Sequence, residues 1–285
     1  MAGGFPVGLQ VSPVATSVSG ATPVLVTSSA SANTVGAYSE LITSTPRDST
    51  WMIVQIQNSG AATSGIITST NISFGASGSE VNVVNNLRMQ TDSSSSLPGQ
   101  ASCYMFPLVV PAGTRIAANM QSNAAAASTT RMTVQLFDDA FGSITGGGAI
   151  DTYGFNSATS GGVVVDPGST GNTKGAWSQV TASLTNDLAG FFLGFDYGSG
   201  STGSFQYYWT MDVGVGASGS EVVILPDFQI YGKSLTNTKS ISPPNTPYFP
   251  IQIPAGTRVA LRSQVNQSTA NTSRWLGVTL YGVRL

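Results

Sequence analysis

The sequence predicts an all-β protein made of two tandem antiparallel β-sandwiches of jelly-roll type, related by internal duplication. Three observations lead there. The heptad Gly75-Ala76-Ser77-Gly78-Ser79-Glu80-Val81 returns unchanged as Gly216-Ala217-Ser218-Gly219-Ser220-Glu221-Val222. Short β-branched and aromatic runs are punctuated by Gly, Ser, Thr and Pro about every 8–12 residues, the pattern of a sandwich or barrel. No segment of ten or more residues carries the 3.6-residue apolar spacing of a helix.

The echo extends beyond the heptad. Phe106-Pro107, Pro111-Ala112-Gly113-Thr114-Arg115 and Arg131 recur as Phe249-Pro250, Pro254-Ala255-Gly256-Thr257-Arg258 and Arg274. Upstream, Asn33-Thr34 and Gly36-Ala37 match Asn172-Thr173 and Gly175-Ala176. The offset drifts only from 139 at Asn33/Asn172 to 143 at Pro111/Pro254, as small loop insertions would produce. A period this long is a duplicated domain rather than a solenoid unit of about 20–50 residues. The expected division is an extended arm over residues 1–19, a first sandwich over 20–137, a Gly-rich linker over 138–161 and a second sandwich over 162–285. The arm is expected to dock on its own body or on a neighbouring chain.

Taken in order, Val24–Val26 and Val163–Val165 open the two copies. Trp51–Gln57, bounded by polar turn residues, reads as a strand, with Phe191–Phe195 as its counterpart. Ile72–Phe74 and Met211–Val215 lead into the heptads. Val110-Pro111-Ala112-Gly113 reads as a type I turn, with Pro second and Gly fourth, reversing strand Leu108–Val110 into Arg115–Gln121. Its twin joins Ile251–Ile253 to Arg258–Gln264. Pro107 and Pro250 lack the amide a ladder needs and belong on an edge or at a bulge. Met132–Phe137 and Trp275–Tyr281 close the copies. The linker contains Gly146-Gly147-Gly148 and one further candidate strand at Ala149–Phe155. An immunoglobulin-like sandwich is the second choice, although its cysteine pair is missing.

Composition excludes several classes. With 41% hydrophobic, 9% aromatic and 8% charged residues, the chain is built to fold. A net charge of −2 with singly scattered Lys and Arg gives no footprint for nucleic acid or an anionic membrane. No apolar run reaches the roughly 20 residues that span a bilayer, and Met1–Phe5 lacks the basic, apolar start of a signal peptide. The single cysteine, Cys103, is read as a small buried hydrophobe. Without histidine there is no imidazole base, no triad of the usual kind and no His-ligated zinc. Gly146–Gly148 is not a phosphate loop. Asp138, Asp139 and Asp151 match no calcium-loop spacing and read as solvated linker. No pair of carboxylates is singled out for glycoside hydrolysis. The expectation is a protein with no cofactor, no metal and no enzymatic activity.

Two groups of side chains stand out. In a chain so poor in charge, Glu80, Arg115 and Arg131 recur as Glu221, Arg258 and Arg274, which suggests ion pairs tying the heptad loop to the following strand. The aromatics Trp177, Tyr207, Tyr208, Trp209 and Tyr231, with Tyr248, Trp275 and Tyr281, enrich the second copy. Buried, they fill a core or a subunit interface, the preferred reading; exposed, they would stack on sugars.

The heptad together with Tyr248-Phe249-Pro250-Ile251-Gln252-Ile253-Pro254-Ala255-Gly256-Thr257-Arg258 resembles bacteriophage and prophage virion proteins with accessory roles on heads and tails. That resemblance implies a non-enzymatic structural protein on a virion, decorating a capsid or attached to a tail after assembly in a bacterial cytoplasm. Separately, the low surface charge and the N-terminal arm point to a homo-oligomer, expected as a trimer, whose other expected partners are virion proteins. The alternative is a module that binds a host-surface glycan or receptor.

Overall fold

The structure is a computed structural model that describes residues 10–11, 23–58, 66–90, 101–137, 149–197, 205–235, 238–268 and 274–285. The first sandwich contains β1 (Gln10–Val11), β2 (Val24–Thr27), β3 (Ser39–Ile42), β4 (Trp51–Asn58), β5 (Ile67–Phe74), β6 (Val81–Gln90), β7 (Ser102–Phe106), β8 (Ile116–Ser122) and β9 (Thr129–Phe137). The second contains β10 (Ile150–Tyr153), β11 (Val163–Val165), β12 (Ser178–Thr181), β13 (Leu188–Tyr197), β14 (Phe205–Val215), β15 (Val222–Leu235), β16 (Thr238–Ser242), β17 (Val259–Val265) and β18 (Leu276–Arg284). All pairings are antiparallel. Among the described residues no helix is long and apolar enough to cross a membrane.

In the first sandwich β2, β9, β4 and β7 form one sheet and β3, β8, β5 and β6 the other, which is jelly-roll order. The second repeats it with β11, β18 and β13 against β12, β17, β14 and β15, the last extended by β16. Where β7 would recur, single bridges from Asn245, Phe249 and Ile253 line β13 instead. Proline explains the loss. Pro243, Pro244, Pro247, Pro250 and Pro254 remove five amides from that segment.

Alternation decides which faces are covered. Along β9, Thr130, Met132, Val134 and Leu136 are buried while their neighbours are half-buried, as in a sheet with one face on a core. Strand β13 is buried along its whole length. Phe191, Leu193, Phe195 and Tyr197 enter the second core, whereas Phe192 joins Tyr281, Val283 and Ile150 in the core of the first sandwich. A strand covered on both sides has no polar alternation, hence the run Phe191-Phe192-Leu193-Gly194-Phe195.

The two sandwiches therefore pack directly on each other. Strand β6 is an edge, and its unpaired backbone is satisfied from the second sandwich. The Tyr281 hydroxyl accepts from the Arg88 amide at 2.8 Å and donates to the Asn86 carbonyl at 2.7 Å. Thr152 donates to the Asn85 carbonyl at 2.8 Å. The Arg88 guanidinium, fully buried, pairs with Asp196 and donates to the Ser160 carbonyl.

Several expectations need correction. Within 138–161 the candidate strand at Ala149–Phe155 is present as β10, laid end to end with β11 along β18, as β1 and β2 lie along β9. The duplication thus reaches back to β1 and β10. The rest of the arm over 1–19, and Asp138, Asp139 and Gly146–Gly148, lie outside the described residues. Asp151 is not solvated linker but is bound by Arg284 at 2.6 Å. Leu108–Val110 is not a strand, since only Val110 bridges, to Ser49. The turn register also moves by one. Thr114 donates to the Pro111 carbonyl, which puts Gly113 third with φ 78°, where a left-handed residue is required. Cys103 is exposed, not buried, because it points outward from β7.

Candidate functional site

The duplicated charges divide into two groups. Arg115 donates to Glu80 at 2.9 Å and to the Gly75 carbonyl at 3.1 Å; Arg258 does the same to Glu221 at 2.8 Å and to Gly216 at 3.2 Å. The other oxygen of each glutamate accepts the amide of Gly78 or Gly219, two residues back in the hairpin. Arg115 Nε bonds Glu40, and Arg258 Nε finds Gln179 in the matching place. Arg131 and Arg274 take no part. Arg131 lies on β9, in the opposite sheet from the heptad hairpin. Arg274 is buried and donates to the Gln267 and Gly168 carbonyls, holding two loops.

These glutamates are structural. Burial pushes the Glu221 carboxyl up, but its own amide, Arg258 and the Gly219 amide outweigh that and hold it below the usual carboxylate range. Glu80 behaves likewise with Arg115 and Gly78. A carboxylate whose folded pKa is depressed contributes stability above its unfolded value, about 4.3, and loses it as pH falls through the folded one. Glu80→Gln/Glu221→Gln should therefore melt a few degrees below the parent at pH 7. The difference should shrink on acidification below about pH 4, and thermal melts across that range check it.

The five aromatics also separate. Tyr207 and Trp209 point inward and are buried, with their rings 5.5 Å apart. Trp209 Nε1 donates to the Arg274 carbonyl at 2.9 Å. Trp177 is held on one face and at its edge. Arg262 lies 4.6 Å over its ring, and a Cβ on Gly214 would come within 2.6 Å of its edge. Tyr208 and Tyr231 remain. They sit opposite each other on β14 and β15, pointing outward, with ring centroids 5.0 Å apart, and Tyr208 is 59% exposed.

This pair stands on an open sheet face whose counterpart in the first sandwich is closed. The heptad hairpins fix the correspondence at an offset of 141, with register shifts after Thr70 and Met211 and left-handed residues Asn86 and Asp227 in matching bulges. Tyr208 thus corresponds to Ile67, Thr210 to Ser69, Asp212 to Asn71 and Gln229 to Arg88. Ile67, Ser69, Asn71 and Arg88 are all buried, as are Asn119 and Gln121 beside them. Gln121 donates to Ser157 and Ser160, and Ser160 to Asn33, so the segment between β10 and β11 lies over that face.

The chemistry of the two faces follows their exposure. In the closed one, Asn71 accepts the Asn86 amide and donates to Asn119 at 2.9 Å. In the open one, Asp212 accepts the Asp227 amide and is bound by Arg262 at 2.9 Å and Lys174 at 2.8 Å. At this position the same geometry is built from two amides in the first sandwich and from a carboxylate with two cations in the second. Burial pushes the Asp212 carboxyl up, and the Asp227 amide, Lys174 and Arg262 hold it below the usual range. Around the tyrosines runs a groove of about 420 Å³, lined by Tyr208, Trp209, Thr210, Gln229, Ile230, Tyr231 and Ser242. Sequence alone did not separate Tyr208 from Trp209. The signal was strict alternation along Tyr207-Tyr208-Trp209, which must put neighbours on opposite faces.

No family model matches the chain, and no curated protein matches it. Among solved structures, it is similar to PNGF-II, with a TM-score of 0.39 and 10% identity over 93% of this chain and 66% of that one. It is also similar to a peptide-N(4)-(N-acetyl-β-D-glucosaminyl) asparagine amidase, with a TM-score of 0.35 and 9% identity over 87% of this chain and 89% of that one. Neither is a virion protein. The expectation of a non-enzymatic bacteriophage structural protein is therefore not kept, the second of these being an enzyme by name. At TM-scores below 0.5 neither activity nor substrate carries over from these proteins.

Proposed function

We propose that this chain binds carbohydrate on the open face of the second sandwich, with Tyr208 and Tyr231 as the stacking platform. The observation that carries the reading is the outward cross-strand tyrosine pair beside a groove edged by Thr210, Gln229 and Ser242. A pyranose presents an apolar C–H face and a rim of hydroxyls. An aromatic ring matches the first, and hydroxyl and amide side chains, which both donate and accept, match the second. Tyr207 and Trp209, by contrast, are turned into the core.

Glycan-array screening followed by calorimetry tests it. The parent should bind at least one saccharide, and Tyr208→Ala/Tyr231→Ala should weaken that binding by about tenfold or more, as loss of a central aromatic anchor does. An array with no bound saccharide, or full affinity in the double variant, would overturn the reading. Concentration-dependent self-association that is lost in the same variant would instead make this face a contact between copies.

A further inference from the structure

We infer that the open face takes an oligosaccharide bearing an acidic group, a carboxylate or a sulfate, with Arg262 as the residue that seats the anion; the inference rests on the carbohydrate reading above. Arg262 is the starting point because most of its donors are idle. Its Nε donates to Asp212 Oδ2 at 2.9 Å, neither terminal nitrogen has a partner among the described residues, and the side chain is 32% exposed. A guanidinium carries five N–H donors, so four remain for a ligand. Elsewhere the arginines are used up by the fold: Arg88, Arg115, Arg258, Arg274 and Arg284 each direct a terminal nitrogen at a protein oxygen.

The guanidinium is also held in place. It lies 4.6 Å over Trp177, whose ring edge is seated against Gly214, and Asp212 fixes its Nε. A planar fork positioned in this way loses little freedom when an anion arrives, and two parallel bonds from its ends fit a carboxylate or a sulfate. The repeat sharpens the point. Arg262 stands opposite Asp212 as Asn119 stands opposite Asn71 in the covered face. The amide of Asn71 is spent on Asn119 at 2.9 Å, whereas the guanidinium reaches beyond its pair.

The carboxylates nearby do not close this seat. Asp212 is met by Lys174 at Oδ1 and by Arg262 at Oδ2, and Lys174 also holds Asp227 at 2.8 Å. The Asp227 side chain is 66% exposed, but Asp227 stands on β15 and Arg262 on β17, the two strands that flank β14. At strand spacing that separation is roughly 10 Å, about the distance over which exposed charges are screened in physiological salt.

Position gives the ligand its length. Along β14, Tyr208 lies four residues from Asp212, the partner of Arg262 across the ladder, which is about 13 Å at a strand's rise. Thr210 and Gln264 face each other between them. A single ring stacked on the tyrosines does not reach the guanidinium. A ligand touching both must be a chain of several sugars that carries its acid away from the stacked ring.

An array of neutral, uronate-bearing and sulfated oligosaccharides of matched length, followed by calorimetry, tests this, and its two acidic arms tell which anion is taken. The parent should bind acidic members about tenfold or more tighter than neutral ones. That preference should be absent among monosaccharides and should shrink severalfold between low salt and about 0.5 M, where exposed charge attraction is screened. Arg262→Gln should bring the acidic members down to the neutral level and leave neutral affinity unchanged, with thermal melts reporting whether its fold is kept; the measurements on the parent need no variant. Neutral members bound as tightly as acidic ones by the parent, or a preference that survives in Arg262→Gln, would overturn the inference. Loss of such a surviving preference in Lys233→Gln would move the anion to β15. If Tyr208→Ala/Tyr231→Ala still abolished binding in those cases, the carbohydrate reading would survive alone. If no saccharide bound, both would fall.

Discussion

Arg88→Met should lower the unfolding free energy by about 3–5 kcal/mol, the toll for leaving one member of a buried ion pair alone. Arg88 is fully buried on β6 of the first sandwich and Asp196 nearly so on β13 of the second. Burial pushes the Asp196 carboxyl up, and the charge of Arg88, the Gly162 amide at 3.1 Å and the hydrogen bond from Arg88 oppose that push. With the guanidinium gone, the carboxylate keeps the Gly162 amide and loses its countercharge. Gly277 leaves it no room to withdraw, since a Cβ there would come within 2.1 Å of Asp196 Oδ1. Replacing both members, Arg88→Met/Asp196→Leu, should restore most of the loss, because removing a buried pair together is far milder than orphaning one partner. Chemical denaturation of the three proteins measures this. A double variant as unstable as the single one would show that packing, rather than charge, sets the effect.

That pair marks where sequence reasoning stopped. The duplicated heptads were legible because their demands are local. Gly75 and Gly78 take φ of 119° and 84°, and Gly216 and Gly219 of 109° and 82°, so the hairpin keeps its glycines in both copies. Glu80 with Arg115 could be read for the same reason, each motif lying beside a turn. Arg88 could not be read. It corresponds to Gln229, so the repeat offers no echo, and its partner is 108 residues away. What pairs them is how one sandwich sits on the other, and no periodicity within a copy encodes that. The signs that existed were indirect: an arginine in a polar-apolar alternation that should have been solvated, and a strand, Leu188–Tyr197, with no polar face.

The same limit applied to the open face. Two equivalent sheets carry matching bulges at Asn86 and Asp227, yet one is sealed and the other is not. Composition showed only that the second copy is richer in aromatics. Which of them meet water depends on the strand register at Tyr207-Tyr208-Trp209 and on what covers the sheet. Duplication creates this situation generally. A head-to-tail packing of two similar units must leave one copy of the shared contact face unmatched, and that free face can then diverge towards a ligand.

Trp209→Ala should destabilise the protein by about 3–5 kcal/mol, while Tyr208→Ala one residue away should stay within about 0.5 kcal/mol of the parent and fail in carbohydrate binding instead. Trp209 is buried, its ring edge-on to Tyr197 at 6.0 Å and to Tyr207 at 5.5 Å, and its Nε1 bonds the Arg274 carbonyl. Removing it opens a cavity among rings that cannot close over it and strips the partner from a buried carbonyl. Gly232 is part of the same seat, since a Cβ there would come within 2.4 Å of the Trp209 ring, so the neighbouring strand of the same sheet is shaped around the indole. Trp209→Phe should recover part of the packing and none of the hydrogen bond. Tyr208 contacts Tyr231 across the strand and is otherwise bathed by solvent, so its removal exposes little and leaves no cavity. Thermal and denaturant unfolding measured beside glycan affinity separates the two roles. A Tyr208→Ala protein as unstable as Trp209→Ala would return the outward tyrosine to the structural role its inward neighbours hold.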